Sequence, residues 1–310
     1  MKKLTLLLFA AAVLALLAGC GGKKQAEVPP ADSGKAAPPP AVSQEELPPP
    51  EPPEEIILYT VTSTTQEETL LAEDGTKLLS SRFQLPVLTA HRQDGTVITE
   101  AKTEKEAAAL AAAETFNRKF TDWTTAEELQ DMADIAAQDY AWRKQEQLDW
   151  LEGYSIELSC TAYQTRNMIS VSGMYYSYTG GAHPNGVYLG WNFDLENGAF
   201  FGPEVLGDGT ALQDAVTDEL IGQCGTRVED ATKEGVSWDM FWPDYETILA
   251  DWSSYAVTFD TTGMTITFSP YELASYAAGP QIFEIPYEFL KPYLSLQGLE
   301  ILGLAEEPGA

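Results

Sequence analysis

One stretch, from Tyr175 to Leu195, limits the possible folds of this chain more than any other. It reads YYSYTGGAHPNGVYLGWNFDL, with two aromatic-rich segments of strand length on either side of a Gly-Gly turn. Aromatic and β-branched residues favour strands, and adjacent glycines tolerate the positive φ angles of a tight turn. The stretch therefore predicts the central hairpin of an antiparallel sheet.

Strand patterns on both sides extend this hairpin. Tyr154 to Tyr163 alternates apolar and polar residues with a period of two, which is typical of a strand with one buried face. Met168 to Tyr178 follows, so that three successive strands are expected to form a meander. Further strand patterns occur at 57–62, 76–89, 97–98, 255–259, 264–268 and 282–285.

Helix signals lie between these strands. Thr103 to Glu106 fits a capping box, and a second capping box begins at Thr125. The apolar stripes behind them are Ala109, Ala113, Phe116 and Phe120, and then Leu129, Met132, Ile135 or Ala136, and Tyr140. Thr210 to Gln223 predicts a third helix that ends near Gly222 or Gly225, and a short helix is expected at 287–293. The fold class is therefore α+β, with antiparallel sheet meanders, helices packed on one face and two closely associated subdomains.

The first segment of the chain is an export signal. Lys2 and Lys3 precede a short apolar run that ends in Leu-Ala-Gly-Cys at Cys20, so residues 1–19 predict a signal peptide and not a spanning helix. This ending resembles the lipobox of bacterial lipoproteins, in which Cys20 becomes the acylated first residue. A plain secretory peptide with an incidental cysteine is the alternative. Each buried methylene contributes about 0.8 kcal/mol, so acylation of Cys20 would anchor the protein to the outer face of the cell membrane.

A tether follows at 20–55, where prolines cluster and aromatic residues are absent. Proline-rich segments favour extended polyproline II at about 3.1 Å per residue, which gives a reach on the order of 50 to 100 Å. The order of elements then predicts an N-terminal α+β domain at 56–165 and a C-terminal α+β domain at 166–310.

The charge of the chain is strongly acidic, with 18 basic residues against 47 acidic ones and a formal net charge of −29. This balance argues against sequence-independent nucleic-acid binding, because phosphate contacts need clustered Lys and Arg. A cationic partner is compatible with this charge. The alternative is that the carboxylates only keep an exported domain soluble.

Several C-terminal motifs carry a resemblance to a known family. They are TGGAHPN at 179–185, NFDL at 192–195 with Gly198 close behind, FSPYELASYAAG at 268–279 and FEIPY at 283–287. In order and spacing they resemble the domain of unknown function in the extracytoplasmic region of RsiV-type anti-sigma factors. The elements at 56–165 resemble the smaller domain that precedes it there.

What this resemblance implies is binding and not catalysis. Such domains occur in anti-sigma factors, where they recognise lysozyme, beside peptidoglycan deacetylase domains, and as stand-alone lipoproteins. It implies a binding module for a cationic protein such as lysozyme or for a peptidoglycan component, with no cofactor. Since the sequence contains no spanning helix and no cytoplasmic region, transmembrane signalling by this chain alone is not expected.

Seven aromatic and polar residues of these motifs and their strands are the candidate ligand-binding residues: Tyr176, Tyr178, His183, Asn185, Tyr271, Glu272 and Tyr276. Two roles are open for His183. Its ring either points into a groove between the aromatic strands or fixes the turn through a backbone hydrogen bond.

No catalytic or metal-binding residue is assigned from the sequence. His91 and His183 stand far apart without a zinc motif. Ile169 to Gly173 lacks the leading glycine of a nucleophile elbow, and Asp194 to Gly198 is interpreted as a hairpin turn and not as a calcium loop. A wall-active hydrolase remains the alternative function, because the ~5 to 10 Å spacing of a carboxylate pair leaves no trace in sequence.

Two cysteines remain once Cys20 is assigned to lipidation. Cys160 and Cys224 either form a disulfide, as extracytoplasmic cysteines do, or stay as buried thiols. The sequence leaves both possibilities open.

Overall fold

The computed structural model describes residues 55–121, 126–150, 152–235 and 239–305. These residues belong to one compact unit, Pro53–Ala310. The strands are β1 (Ile57–Leu71), β2 (Lys77–Arg92), β3 (Tyr154–Gln164), β4 (Met168–Tyr178), β5 (Asn185–Asp194), β6 (Ala199–Phe201), β7 (Ala256–Phe259), β8 (Gly263–Phe268) and β9 (Gln281–Pro286). The helices are α1 (Glu104–Thr121), α2 (Ala126–Gln145), α3 (Ala211–Lys233), α4 (Tyr245–Ala250), α5 (Tyr287–Leu290) and α6 (Leu296–Ile301).

Some sequence predictions fall outside the described residues. They are the signal peptide at 1–19, Cys20 and the tether up to residue 54, and Thr125 of the second capping box. Within the described ranges, no helix has the length and apolar character needed to cross a bilayer.

The predicted α+β class is confirmed. Strands β1 to β6 form one sheet in chain order, and β7 to β9 form a second sheet in chain order. The predicted meander is present, since β3, β4 and β5 pair antiparallel along their lengths. One neighbouring pair, β2 and β3, is parallel. Because α1 and α2 connect these two strands, the chain returns to the same end of the sheet before β3 begins.

The first strand is longer than its sequence pattern suggests. β1 pairs with β2 from Ile57 to Leu71, well beyond the predicted end at Thr62. The hairpin closes at the predicted Asp74-Gly75 turn, where Asp74 accepts a hydrogen bond from the Thr76 amide and Gly75 has a φ of 82°. Pairing with β2 and this turn hold the polar second half of β1 in extended form.

The larger sheet and the first two helices enclose one hydrophobic core. The predicted stripe of α1 is buried, and Phe116 and Phe120 are 0% and 1% exposed. Of the two alternatives on α2, Ala136 is 0% exposed and Ile135 is 53% exposed, so Ala136 belongs to the buried stripe. The Thr103 half of the predicted capping box is present at the start of α1, because Thr103 Oγ1 accepts a hydrogen bond from the Glu106 amide, whereas the Glu106 carboxylate accepts from the Lys102 amide. The helices thus cover one face of the sheet, as expected.

A second core lies between the smaller sheet and α3, with Leu220, Ile266, Phe268 and Phe283 fully buried in it. The prediction that α3 ends near Gly222 or Gly225 is wrong, because the helix continues to Lys233. The reason is tertiary. The Arg227 guanidinium lies 4.0 Å from the centre of the Phe283 ring and donates to the Ile282 carbonyl, which ties the extension to β9.

The larger sheet continues across the domain boundary predicted between residues 165 and 166. Ser155 to Gln164 of β3 pair with Ile169 to Tyr178 of β4. The division into a domain at 56–165 and another at 166–310 stays a prediction, and the β3–β4 hairpin belongs to both segments.

Candidate binding site

The turn between β4 and β5 carries His183 at the surface. Gly180 and Gly181 have φ angles of 87° and 105°, where residues with a Cβ are strained, and this allows the chain to reverse. Tyr178 donates its hydroxyl to the Gly181 carbonyl at 3.1 Å, which fixes one side of the turn. The Gly-Gly pair in the sequence is therefore a structural requirement for placing His183.

The loop between β8 and β9 carries Tyr271 and Tyr276. Tyr271 has a φ of 76°, a left-handed conformation that is rare for a residue with a bulky side chain. The structure holds it there on both sides: its amide donates to the Ala274 carbonyl at 3.1 Å, and Trp242 Nε1 donates to the Tyr271 carbonyl at 3.0 Å. The Tyr271 side chain is nevertheless 54% exposed.

The two loops meet in one cluster, formed by His183, Tyr271 and Tyr276. The His183 ring stacks on the Tyr276 ring, with centroids 3.8 Å apart and planes inclined by 19°. His183 Nε2 lies 3.3 Å from the Tyr271 hydroxyl, and the two tyrosine rings are 5.5 Å apart. Residues that are 88 positions apart in the chain thus form a continuous aromatic and polar surface.

Of the two roles considered for His183, the backbone hydrogen bond corresponds to a contact in the structure, and the groove between the aromatic strands stays a prediction. His183 Nδ1 lies 3.0 Å from the Pro184 carbonyl, and the same carbonyl accepts a hydrogen bond from the Tyr276 hydroxyl at 3.0 Å. The ring therefore supports the turn while one edge reaches Tyr271. Since His183 is exposed, these contacts orient it and leave it accessible to solvent.

The other predicted site residues lie around this cluster in different roles. Tyr176 and Tyr178 are half-buried on β4, and Asn185 is exposed at the start of β5. Glu272 accepts a hydrogen bond from the Ser269 amide, so its carboxylate stabilises the loop. Ser269 Oγ in turn accepts from the Tyr188 amide at 3.0 Å, which links the loop to β5. Ser269 and Trp242 were not predicted from the sequence, and their hydrogen bonds to Tyr188 and Tyr271 position the loop between β8 and β9.

The cluster of His183, Tyr271 and Tyr276 offers hydroxyl groups, an imidazole and aromatic faces. Neither histidine bonds a carboxylate among the described residues, because His91 contacts the Thr60 hydroxyl and the Gly95 carbonyl. Within the described ranges, no cluster of three or more His, Cys, Asp or Glu side chains is arranged for a metal ion. Asp194 forms the predicted hairpin turn, accepting from the Glu196 and Asn197 amides.

Cys160 and Cys224 are free and buried, and each lies in a different hydrophobic core. The sequence left open whether the two cysteines form a disulfide or stay as buried thiols, and in the structure they are buried thiols. Burial raises the pKa of the Cys160 thiol to about 12 and that of Cys224 to about 11. Neither thiol is therefore a nucleophile at neutral pH.

Residues 229–288 match the model of DUF3298, a protein family of unknown function. The matched segment runs from the end of α3 through β9 and includes Tyr271 and Tyr276, whereas His183 lies outside it. No curated protein matches this chain.

Two solved structures of DUF3298 proteins are similar to this one. The protein from Bacteroides fragilis is 18% identical with a TM-score of 0.51, and the match covers 82% of this chain and 100% of that one. The protein from Pseudomonas aeruginosa is 12% identical with a TM-score of 0.45, covering 77% of this chain and 95% of that one. At 18% identity, the similarity to the Bacteroides fragilis protein shows a shared fold and nothing further.

Proposed function

We propose that this chain is a surface-tethered lipoprotein whose extracytoplasmic part is a non-catalytic binding module for lysozyme or a cell-wall component. The observation that carries the proposal is the cluster of His183, Tyr271 and Tyr276. Two loops converge on it, and Tyr271 adopts a strained backbone conformation while its side chain remains exposed. Strain of this kind costs of order 1 to 3 kcal/mol and is typically retained where a side chain must be presented for function.

The charge of the chain supports a basic protein as the ligand. A formal net charge of −29 attracts a cationic partner over about a Debye length, roughly 8 to 10 Å at ordinary salt. The tyrosines supply rigid amphipathic contact area, which is a common feature of residues that dominate binding energy at interfaces. The RsiV-type resemblance of the motifs at 179–185 and 268–279 points to the same class of partner.

The binding test uses residues 53–310, which contain both cores, with lysozyme and soluble peptidoglycan fragments as ligands. Calorimetric titration at low and high salt should give a Kd for at least one ligand, and binding of lysozyme should weaken as salt rises. His183→Ala and Tyr271→Ala should each weaken binding at least about tenfold, the effect expected for a residue central to an interface. The matched control is His91→Ala, which removes the other histidine.

Two results would contradict the proposal. The cluster would be structural only if His183→Ala and Tyr271→Ala bound like the wild type. Catalytic turnover of peptidoglycan that disappears on one Asp or Glu substitution would instead favour the wall-active hydrolase.

Anchoring through Cys20 is a separate part of the proposal. In cells that carry the full chain, Cys20→Ser should move the protein from the membrane fraction to the soluble extracytoplasmic fraction, because the acyl chains are lost. Labelling with a radioactive fatty acid should mark the wild type and not the variant. A variant that remains in the membrane fraction would exclude lipid anchoring at this position.

A further inference from the structure

We propose that the outer edge of β1 accepts an extended peptide of alternating basic and apolar residues, which adds as a seventh strand to the larger sheet. This site is separate from the cluster around His183, and the inference goes beyond the proposed function. The argument begins with the hydrogen bonds of β1, the first strand of that sheet.

Gln164 identifies which backbone groups of β1 face away from β2. Its side chain accepts from the Val61 amide at 3.2 Å and donates to the Tyr59 carbonyl at 2.8 Å. One amide side chain therefore already makes the pair of hydrogen bonds that an added strand would make. Because these groups alternate along an antiparallel strand, odd-numbered residues of β1 point their N–H and C=O groups outward.

The same alternation continues beyond Gln164, since the pairing of β1 with β2 keeps its register as far as Leu70. The outward groups are those of Ser63, Thr65, Glu67 and Thr69. Among the described residues, none makes a hydrogen bond to these backbone groups, and all four residues are exposed. An unpaired strand edge of this length is a template for strand addition.

The two faces of the sheet at this edge differ in polarity, and this difference indicates which side chains the added peptide carries on each face. On the side of α2, a cleft of about 310 Å³ has an apolar part formed by Leu70, Leu79, Phe83, Leu129 and Ala133 and a polar part formed by Gln66, Glu68, Thr69, Ser81 and Gln130. Leu79 and Phe83 are buried in its floor, while Leu70 is 39% exposed. An added strand would direct every second side chain into this cleft, which favours apolar residues there.

The opposite face is electrostatically suited to a basic side chain. Glu67 lies beside Arg82 with 2.9 Å between Oε1 and Nε, and the register places Glu157 on the other side of Arg82. Two carboxylates thus surround one guanidinium, and the Glu67 side chain is 64% exposed. A lysine on the added strand opposite Glu67 would restore the charge balance.

Other occupants fit this edge less well. A second copy pairing antiparallel through residues 63–69 would bring Glu67 and Glu68 of both copies close together, and both chains carry a net charge of −29. The chain's own segment at 38–53 is rich in proline, which cannot donate to a strand ladder. Charge complementarity therefore favours a separate basic and apolar peptide.

The probe is a fluorescein-labelled heptapeptide of alternating lysine and valine, titrated into residues 53–310 and followed by fluorescence anisotropy. The control peptide has the same side chains but is N-methylated at alternate amides, which removes the donors that face β1. The control should bind at least tenfold more weakly. Hydrogen exchange should slow at the amides of Ser63, Thr65, Glu67 and Thr69 when the unmodified peptide is added.

Thr65→Pro removes an outward donor without removing a hydrogen bond to β2, so it should weaken binding at least tenfold. Thr65→Val keeps the N–H group and should bind like the wild type. If the proline variant does not fold, the N-methylated peptide and the hydrogen-exchange measurement still test whether the peptide pairs with the outer edge of β1. Equal binding of both peptides, or unchanged exchange at the four amides, would overturn the proposal.

Two further outcomes would also overturn it. A dimer of residues 53–310 in sedimentation equilibrium that Thr65→Pro dissociates would assign the edge to a second copy. Loss of peptide binding in the longer chain that begins at Cys20 would assign it to the preceding segment of the same protein.

Discussion

The Ser170 hydroxyl donates a hydrogen bond to Asn192 Oδ1 at 2.7 Å, and both side chains are buried where the two sheets meet. Ser170 also accepts from the Phe259 amide at 2.8 Å, and Asn192 donates to the Val257 carbonyl at 3.0 Å. The pair therefore joins β4 and β5 of the larger sheet to β7 of the smaller one. The Ser170 hydroxyl and both polar atoms of the Asn192 amide therefore have partners, as buried polar groups require.

Removing Asn192 should be strongly destabilising. Asn192→Ala removes the acceptor of the Ser170 O–H group and the side-chain donor to the Val257 carbonyl in a buried site, and we expect a loss of about 2 to 4 kcal/mol in the free energy of unfolding. Urea denaturation of residues 53–310 measures this loss. Ser172→Ala, an exposed change on β4, should stay within about 0.5 kcal/mol of the wild type. Equal effects of the two substitutions would contradict a role for the network.

A second prediction concerns the close approach of β5 and β7 at Gly190. A Cβ added to Gly190 would lie 2.5 Å from the Val257 carbonyl oxygen and 2.9 Å from its nitrogen. Because both are backbone atoms, β7 would have to shift, and Gly190→Ala should cost about 1 to 3 kcal/mol. Gly186→Ala on the same strand is the matched control, since no atom lies within 4 Å of its added Cβ. Thermal denaturation should separate the two variants clearly.

Much of the fold follows from local sequence signals. The alternation of Tyr154 to Tyr163, the Asp74-Gly75 turn and the stripe from Ala109 to Phe120 each predict one element, and all three are confirmed. The second half of β1 was not predicted, because its Thr, Gln and Glu residues lack a buried face and depend on pairing with β2. The continuation of α3 depends on contacts of Arg227 with β9, which no local pattern records.

The candidate site was predictable in its residues and not in its geometry. His183, Tyr271 and Tyr276 stand in motifs that sequence reasoning selected, but the stacking of His183 on Tyr276 requires two loops of different sheets to meet. The positive φ of Tyr271 carries no sequence signal either, since glycine or asparagine is the usual residue there. Such strain becomes visible only when the surrounding hydrogen bonds are known.

The cysteines lead to a third prediction. Since Cys160 and Cys224 lie in separate cores with raised thiol pKa values, neither should react with a thiol reagent at pH 8 in the folded protein. Residues 53–310 should present two reactive thiols per chain after unfolding in denaturant without reductant. A count of zero under those conditions would mean that the two cysteines form a disulfide.

The same thiols predict how stability changes at alkaline pH. Burial raises their pKa above the ordinary value of 9.0, so the folded state holds these protons more tightly than the unfolded state does. The contribution of the protonated thiols to the free energy of unfolding is fully present below pH 9 and is lost as pH rises toward about 11 to 12. The melting temperature of Cys160→Ala should therefore fall less steeply over this range than that of the wild type. If the melting temperatures of Cys160→Ala and the wild type fell in parallel above pH 9, the raised pKa of the buried Cys160 thiol would be contradicted.

The fifth prediction concerns acid, where Glu106 is the relevant carboxyl. Arg92 binds both of its oxygens, Nε to Oε1 at 2.6 Å and Nη2 to Oε2 at 2.9 Å, and the Lys102 amide donates to Oε2 at 2.7 Å. These contacts lower the pKa of Glu106 below its ordinary value of 4.5, with the Arg92 hydrogen bonds as the main cause. The contribution of the ionised Glu106 carboxylate to the free energy of unfolding is therefore present above pH 4.5 and is lost as pH falls through the folded-state pKa.

Glu106→Gln should lower the melting temperature at pH 7 and flatten its decline below pH 4.5, because the variant no longer loses this charge. Glu114→Gln is the matched control: Glu114 forms an exposed pair with Arg118 on the same helix, where ion pairs contribute little. It should reproduce the wild-type curve. If Glu106→Gln also reproduced that curve, the buried pair with Arg92 would not hold α1 against β2, and the acid sensitivity of the fold would have another origin.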